Sequence, residues 1–144
     1  MWKSYTYNDL YVFLLNPMNR MNNWSRVLWT LLLLAAGVAH LFLPQFFIAY
    51  YPSYLPWPEQ VVLVSGIVEL LLATLLWIRA VERPTWLAIS LLMAVYTLVH
   101  VYVITDYGTI QHPDPALPLW LAWVRLPMQG VLIGWAWKEY RRRE

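Results

Sequence analysis

The stretch VSGIVELLLATLL, Val64 to Leu76, sets one carboxylate, Glu69, into an otherwise apolar run. That run belongs to a longer segment, Pro58 to Ile78, whose roughly 20 residues match the ~30 Å hydrocarbon thickness of a bilayer at ~1.5 Å per residue. A charge at such depth costs about 2.5 to 3.5 kcal/mol on the insertion scale. It therefore needs a partner.

Working outward, 60% of the 144 residues are hydrophobic and only 12% are charged, too few polar groups to wet the surface of a soluble domain. Three more segments are long and apolar enough to span: Trp24 to Leu43, Thr85 to Thr105 and Leu119 to Lys138. The predicted fold is all-α, an antiparallel bundle of four transmembrane helices in residues 24–138 with short connections. A 1–23 segment precedes it, and a basic tail, 139–144, follows. In the first segment the apolar cluster Leu10 to Leu15 is too short to span and lacks a small-residue cleavage site, so it reads as a short interfacial helix rather than a signal peptide. The absence of cysteine excludes disulfide exchange, thiolate metal sites and covalent haem attachment. Any redox role must use a bound organic cofactor or a metal.

Cations fix the expected orientation. Lys3, Arg20 and Arg26 precede or open the first span, Arg79 and Arg83 lie between the second and third, and Lys138 with Arg141 to Arg143 ends the chain. The loops Pro44 to Trp57 and Asp106 to Pro118 carry neither Lys nor Arg, so the positive-inside rule places both termini in the cytoplasm and these loops outside. Tryptophans agree, with Trp24, Trp29, Trp77, Trp86, Trp135 and Trp137 at the inner boundary and Trp57, Trp120 and Trp123 at the outer one. Because topology explains the cations, the sequence pI near 9.0 requires no nucleic-acid partner; the lipid bilayer is the expected one.

Small residues mark close approaches. Gly130 and Gly134 form a GxxxG pattern expected to pack inside the bundle, and Ala35, Ala39 and Gly66 are further contact points. The segment LPQFFIAYYPSYLPWPEQ, Leu43 to Gln60, holds four prolines and six aromatic residues and reads as a rigid cap on the outer leaflet.

Each span carries its own polar patch: His40 on the first, Ser65 and Glu69 on the second, His100 on the third, and Arg125 with Gln129 on the fourth. The i, i+4 spacing puts each of the two-residue sets on one helix face. Counted at ~1.5 Å per residue from the outer ends, the histidines lie about 5 to 8 Å deep, Ser65 and Arg125 about 9 to 10 Å, and Glu69 and Gln129 about 15 to 16 Å. The six are expected to line one cavity, with Arg125 as the counter-charge of Glu69. The bland alternative makes Glu69 and Arg125 a packing staple only. Tyr96, one turn before His100, adds a phenol to that face or simply packs. Pro127 frees the carbonyl of Trp123 beside Arg125. His112 and Asp114 read as solvated loop residues. The difference in depth between His40 and Glu69, about 10 Å along the helix rise, leaves a metal site undecided.

The segments AGVAHLFLPQFF, PSYLPWPEQVVLVSGIVELLLATLLWI and RLPMQGVLIGWAW resemble the first, second and fourth helices of DoxX-like membrane proteins. The resemblance spans Ala36 to Trp137, through His40 and Pro44, Ser65, Gly66 and Glu69, then Arg125, Pro127 and Gln129. Where relatives carry Pro-Ala-Asn, an aliphatic residue and tyrosine, this chain has LVHVY, with His100 in the asparagine's place. The resemblance implies a small multi-pass protein of the prokaryotic cytoplasmic (inner) membrane, in a family named for the membrane subunit of a thiosulfate:quinone oxidoreductase. The leading expectation is a quinone-linked redox subunit of an electron-transfer or oxidative-stress pathway. A quinone suits an apolar slot with hydrogen-bonding and protonatable groups beside its oxygens. His40 and His100 would donate and carry protons, Glu69 relay them, and Arg125, Gln129 and Ser65 hold the ring oxygens. One alternative is a b-type haem bound by His40 and His100. Another is a non-catalytic accessory subunit that packs its aromatic surface on the partner subunits of a larger membrane complex. Four spans with no visible internal repeat argue against a transporter.

Overall fold

Proline and the ends of the apolar runs set most helix boundaries. The computed structural model describes residues 20–52, 54–105 and 119–142. Most of the expected interfacial segment 1–23, the loop with His112 and Asp114, and Arg143 lie outside the described residues. The elements are α1 (Arg20–Phe42), α2 (Pro44–Ile48), α3 (Pro58–Leu75), a 3-10 turn (Arg79–Val81), α4 (Glu82–Thr105) and α5 (Leu119–Arg141), with no strand among the described residues. Pro44 and Pro58 open α2 and α3, positions where the ring pre-sets φ and the missing N–H has no helical acceptor to lose. The turn into α3 passes through Trp57 in the left-handed region, φ 57°, and is braced by the Tyr51 hydroxyl donating to the Pro56 carbonyl at 3.1 Å. Helix α5 continues through Pro127.

Helix α1 lies along α3, and α4 along α5. At one end all four long helices close on a core of Trp29 and Leu33 from α1, Leu72 and Ala73 from α3 with Leu76 just after it, Trp86, Ile89 and Met93 from α4, and Ala136 from α5. Trp29 is its centre, meeting Trp86 edge-on at 6.2 Å and 87° and Trp135 at 5.7 Å. Polar contacts lock the same end. Trp135 Nε1 donates to Ser25 Oγ at 3.1 Å, and Ser25 Oγ donates to Glu139 at 3.0 Å. Arg26 pairs with Glu82 at 2.6 Å, and Arg142 with Glu139 at 3.2 Å. Glu139, which the sequence places in a basic tail, thus lies within α5, fully buried against α1. Ser25 is its link across the helices.

Two of the tryptophans read as interfacial anchors are instead core residues, for Trp29 and Trp86 are both 0% exposed. Trp24, Trp77 and Trp137 do face outward. The reason is steric: an indole pair fills the space where four helices converge, which aliphatic side chains of this register would leave as a void.

Among the described residues, three helices are long and apolar enough to cross a membrane: Asn23–Phe42, Pro58–Leu75 and Arg79–Thr105. Only 22%, 28% and 22% of these windows is buried inside the protein, and many of their apolar side chains, Leu31, Ile67, Leu91 and Leu98 among them, are exposed. Such a surface suits lipid and not water. Helix α5 has comparable length, 23 residues, but Arg125, Pro127, Gln129 and four tryptophans dilute its apolar character.

Trp29→Ala should destabilise the protein by about 3 to 5 kcal/mol through the cavity it leaves, whereas Trp24→Ala on the outer face should change stability by less than about 0.5 kcal/mol. Unfolding in mixed detergent micelles, followed by near-UV circular dichroism, measures the difference.

Candidate functional site

Two glycines position the site. Where α1 crosses α3, a Cβ on Gly66 would lie 2.8 Å from His40 Cβ and 3.1 Å from the Gly37 carbonyl, and one on Gly37 would lie 2.9 Å from the Gly66 carbonyl. Only hydrogen fits at either place. The helices run antiparallel here, since Gly37 faces Gly66 while Trp77 Nε1 donates to Thr30 further along, at 3.0 Å. In a helix each Cα–Cβ bond leans toward the helix's own N-terminus. His40 therefore leans down and Glu69 leans up, and they meet over the glycines.

That meeting corrects the expected pairing. His40 Nδ1 lies 3.0 Å from Glu69 Oε2, and Arg125 makes no ion pair or hydrogen bond among the described residues. The depth count assumed that the helix ends lie level. The glycine crossing sets the register instead, while α5, which carries Arg125, lies along α4 and not α3.

Glu69 is 1% exposed. Its Oε1 accepts from the Tyr96 hydroxyl at 2.8 Å. The His40 Nδ1–H is directed at the Ala36 carbonyl, 2.9 Å away, so Oε2 has the ring's electrostatic contact but no aligned donor. Phe47 of α2 lies flat on the His40 imidazole, centroids 3.7 Å apart at 19°. His100 repeats the backbone anchor, its Nδ1 donating to the Tyr96 carbonyl at 2.7 Å. Ser65 Oγ donates to the Val62 carbonyl of its own helix at 2.8 Å. Gln129 is buried with Oε1 unpartnered.

All seven residues named from the sequence, His40, Ser65, Glu69, Tyr96, His100, Arg125 and Gln129, lie on the wall of one cavity of about 380 Å³. The structure joins His40, Glu69 and Tyr96 directly. Arg125 and Gln129 share the cavity without a hydrogen bond or ion pair to that triad, and His100 meets it only along its own helix, through the Tyr96 carbonyl. The rest of the wall is apolar, including Met93, Met128 and Leu132. Sequence reasoning missed the aromatic contribution of Phe46, Phe47, Tyr50 and Tyr51, which cover one side instead of serving only as a surface cap. Pro44 followed after Gln45 by two phenylalanines was the available signal, because a helix restarted there must point their rings somewhere dry. Among the described residues, no three His, Asp or Glu side chains converge as a metal site would require.

The GxxxG pattern plays no part in this packing. A Cβ on Gly130 or Gly134 would meet nothing within 4 Å, so the expectation that these glycines pack inside the fold is corrected: they lie on the outer face of α5, and Gly37 with Gly66 supplies the close approach. Gly66→Ala should accordingly cost about 1 to 3 kcal/mol through overpacking. Gly130→Ala should be neutral or stabilising by up to about 1 kcal/mol, as alanine is the better helix former. Thermal unfolding of the two variants in one detergent compares them.

Among known families, residues 29–140 match the model of a domain of unknown function, DUF8561. No curated protein and no solved structure matches the chain. The matched span covers most of the chain and contains the glycine crossing, the Glu69 triad and Arg125 with Gln129. The chain belongs to the DUF8561 family.

Proposed function

We propose that the cavity binds a quinone-like amphipathic molecule and that the chain is a quinone-linked redox subunit of an electron-transfer or oxidative-stress pathway. The observation that carries this reading is a buried carboxylate, Glu69, held by Tyr96 and His40 at the wall of an otherwise apolar cavity that also contains a cation without a partner among the described residues. A structural staple would pair the two charges. Here they share a cavity without pairing, and two buried acceptor atoms, Glu69 Oε2 and Gln129 Oε1, have no aligned donor.

The donor set suits a substituted ring with two opposed oxygens. The volume, about 380 Å³, lies within the ordinary range of small-molecule sites, and flat aromatic groups, Phe47 on His40, line it. When bound, a quinone supplies a couple of two electrons and two protons. The chain's own residues would do the rest. Arg125 and the Gln129 amide hold one ring oxygen, whose proton passes through His100 on the same wall, and Glu69 takes or gives the proton at the other. Tyr96 and His40 fix the carboxylate's position, and Met93 with Leu132 excludes water. The electrons come from a partner subunit that carries its own redox centre.

The reading extends to topology. We take α1, α3, α4 and α5 as a four-helix membrane bundle with both termini cytoplasmic, in a prokaryotic inner membrane. The DoxX-like segments, the distribution of Lys and Arg, and the outward apolar faces support it. The polar residues that lower the apolarity of α5, Arg125 and Gln129, are turned into the cavity, which leaves its outer face, with Val124 and Val131, suited to lipid.

Glu69→Gln and Arg125→Ala should each lower quinone-linked turnover by about 100-fold or more while membrane insertion, read by protease protection of a terminal tag, is unchanged. Full turnover in both variants would remove the cavity from the redox reaction. A Soret band in the purified wild-type protein would instead favour haem.

A further inference from the structure

The cavity's hydrogen-bonding groups are unequal, and this points to one form of its ligand. The hydroxyls of Ser65 and Tyr96 and the anchored ring N–H groups of the two histidines on its wall are already committed to the protein. Ser65 Oγ–H goes to the Val62 carbonyl and Tyr96 O–H to Glu69. The Nδ1 atoms of His40 and His100 lie 2.9 and 2.7 Å from the carbonyls of Ala36 and Tyr96. A carbonyl oxygen only accepts, so each Nδ1 carries the hydrogen, and the neutral ring keeps Nε2 as an acceptor. Acceptors remain uncommitted. Glu69 Oε2 and Gln129 Oε1 are both buried, on residues 1% and 7% exposed, and neither has an aligned donor, the His40 Nδ1–H 3.0 Å from Oε2 being directed at the Ala36 carbonyl. An unfilled buried acceptor costs roughly 1 to 3 kcal/mol, so an occupant that brings a donor gains most. Two strong donors on the wall, the Arg125 guanidinium and the Gln129 amide nitrogen, both come from α5.

We propose that the cavity selects the reduced, hydroxyl-bearing form of its aryl ligand over the oxidised dicarbonyl form. This rests on the quinone reading above and adds its redox preference. One ring hydroxyl donates to Glu69 Oε2, and the opposite oxygen, electron-rich in the reduced ring, faces Arg125. A dicarbonyl ring brings no donor and leaves Oε2 unfilled, with its carbonyl lone pairs turned toward a carboxylate. The discrimination follows the rule that a site built around hydrogen bonds rejects an analogue lacking the matching group.

The test is equilibrium binding of 1,4-naphthoquinone and of its reduced diol to the full-length protein in lipid nanodiscs, under anaerobic conditions, by titration calorimetry. The diol should bind at least 10-fold more tightly than the quinone. Glu69→Gln, whose amide donates where the carboxylate could only accept, should narrow that ratio. The wild-type comparison decides the matter even if a variant does not fold. Equal affinities, or tighter binding of the quinone, would overturn the redox preference and leave the quinone site standing. Binding of neither form would overturn both.

Discussion

A carboxylate buried in an apolar protein is the constraint on which this structure turns. Glu69 is tolerated because the Tyr96 hydroxyl donates to one oxygen at 2.8 Å and the His40 ring approaches the other to 3.0 Å, replacing part of the hydration that burial removes. Both partners depend on backbone geometry. His40 reaches Glu69 only because Gly37 and Gly66 let α1 and α3 close to a distance that no Cβ permits. Tyr96 reaches it from α4, which links the two helix pairs through one carboxylate.

The molecule is divided accordingly. One end is closed by the Trp29, Trp86 and Trp135 cluster and by the buried contacts of Ser25, Arg26, Glu82 and Glu139. Away from that cluster the four long helices and α2 leave a cavity with a polar triad on one part of its wall and Arg125 with Gln129 on another. A well-packed end supports a site that is left incompletely satisfied, as Glu69 Oε2 and Gln129 Oε1 are. The packed core and the cavity thus occupy different lengths of the same helices.

The gathering of His40, Ser65, Glu69, Tyr96, His100, Arg125 and Gln129 on one cavity was legible in the sequence, because polar groups in long apolar helices cannot face lipid at low cost and i, i+4 spacing fixes their faces. The long helices were legible for the same reason, to within a few residues at their ends. The identity of the Glu69 partner was not. It depends on the relative register of α1 and α3, and counting residues from span ends carries no information on how those ends are staggered. The buried roles of Trp29 and Trp86 were hidden because an indole at a span boundary looks alike whether it turns outward or inward. Glu139 was hidden among the arginines around it; only its distance to Ser25, across the whole chain, shows that it is a core residue. The placement of α2 over the cavity came from tertiary contact with α3, which a proline-rich segment does not announce.

Because the charges of Glu69 and Arg125 share a cavity without pairing, the central claim is that a molecule belongs between them. Native mass spectrometry of the protein, extracted gently from its own membrane and released from detergent in the gas phase, tests this most directly. The expected result is an adduct of quinone or quinol mass on the wild-type chain that is absent from Arg125→Ala prepared identically. A wild-type chain that emerges empty, or an adduct that survives Arg125→Ala undiminished, would contradict it and return Glu69 and its neighbours to a purely structural role.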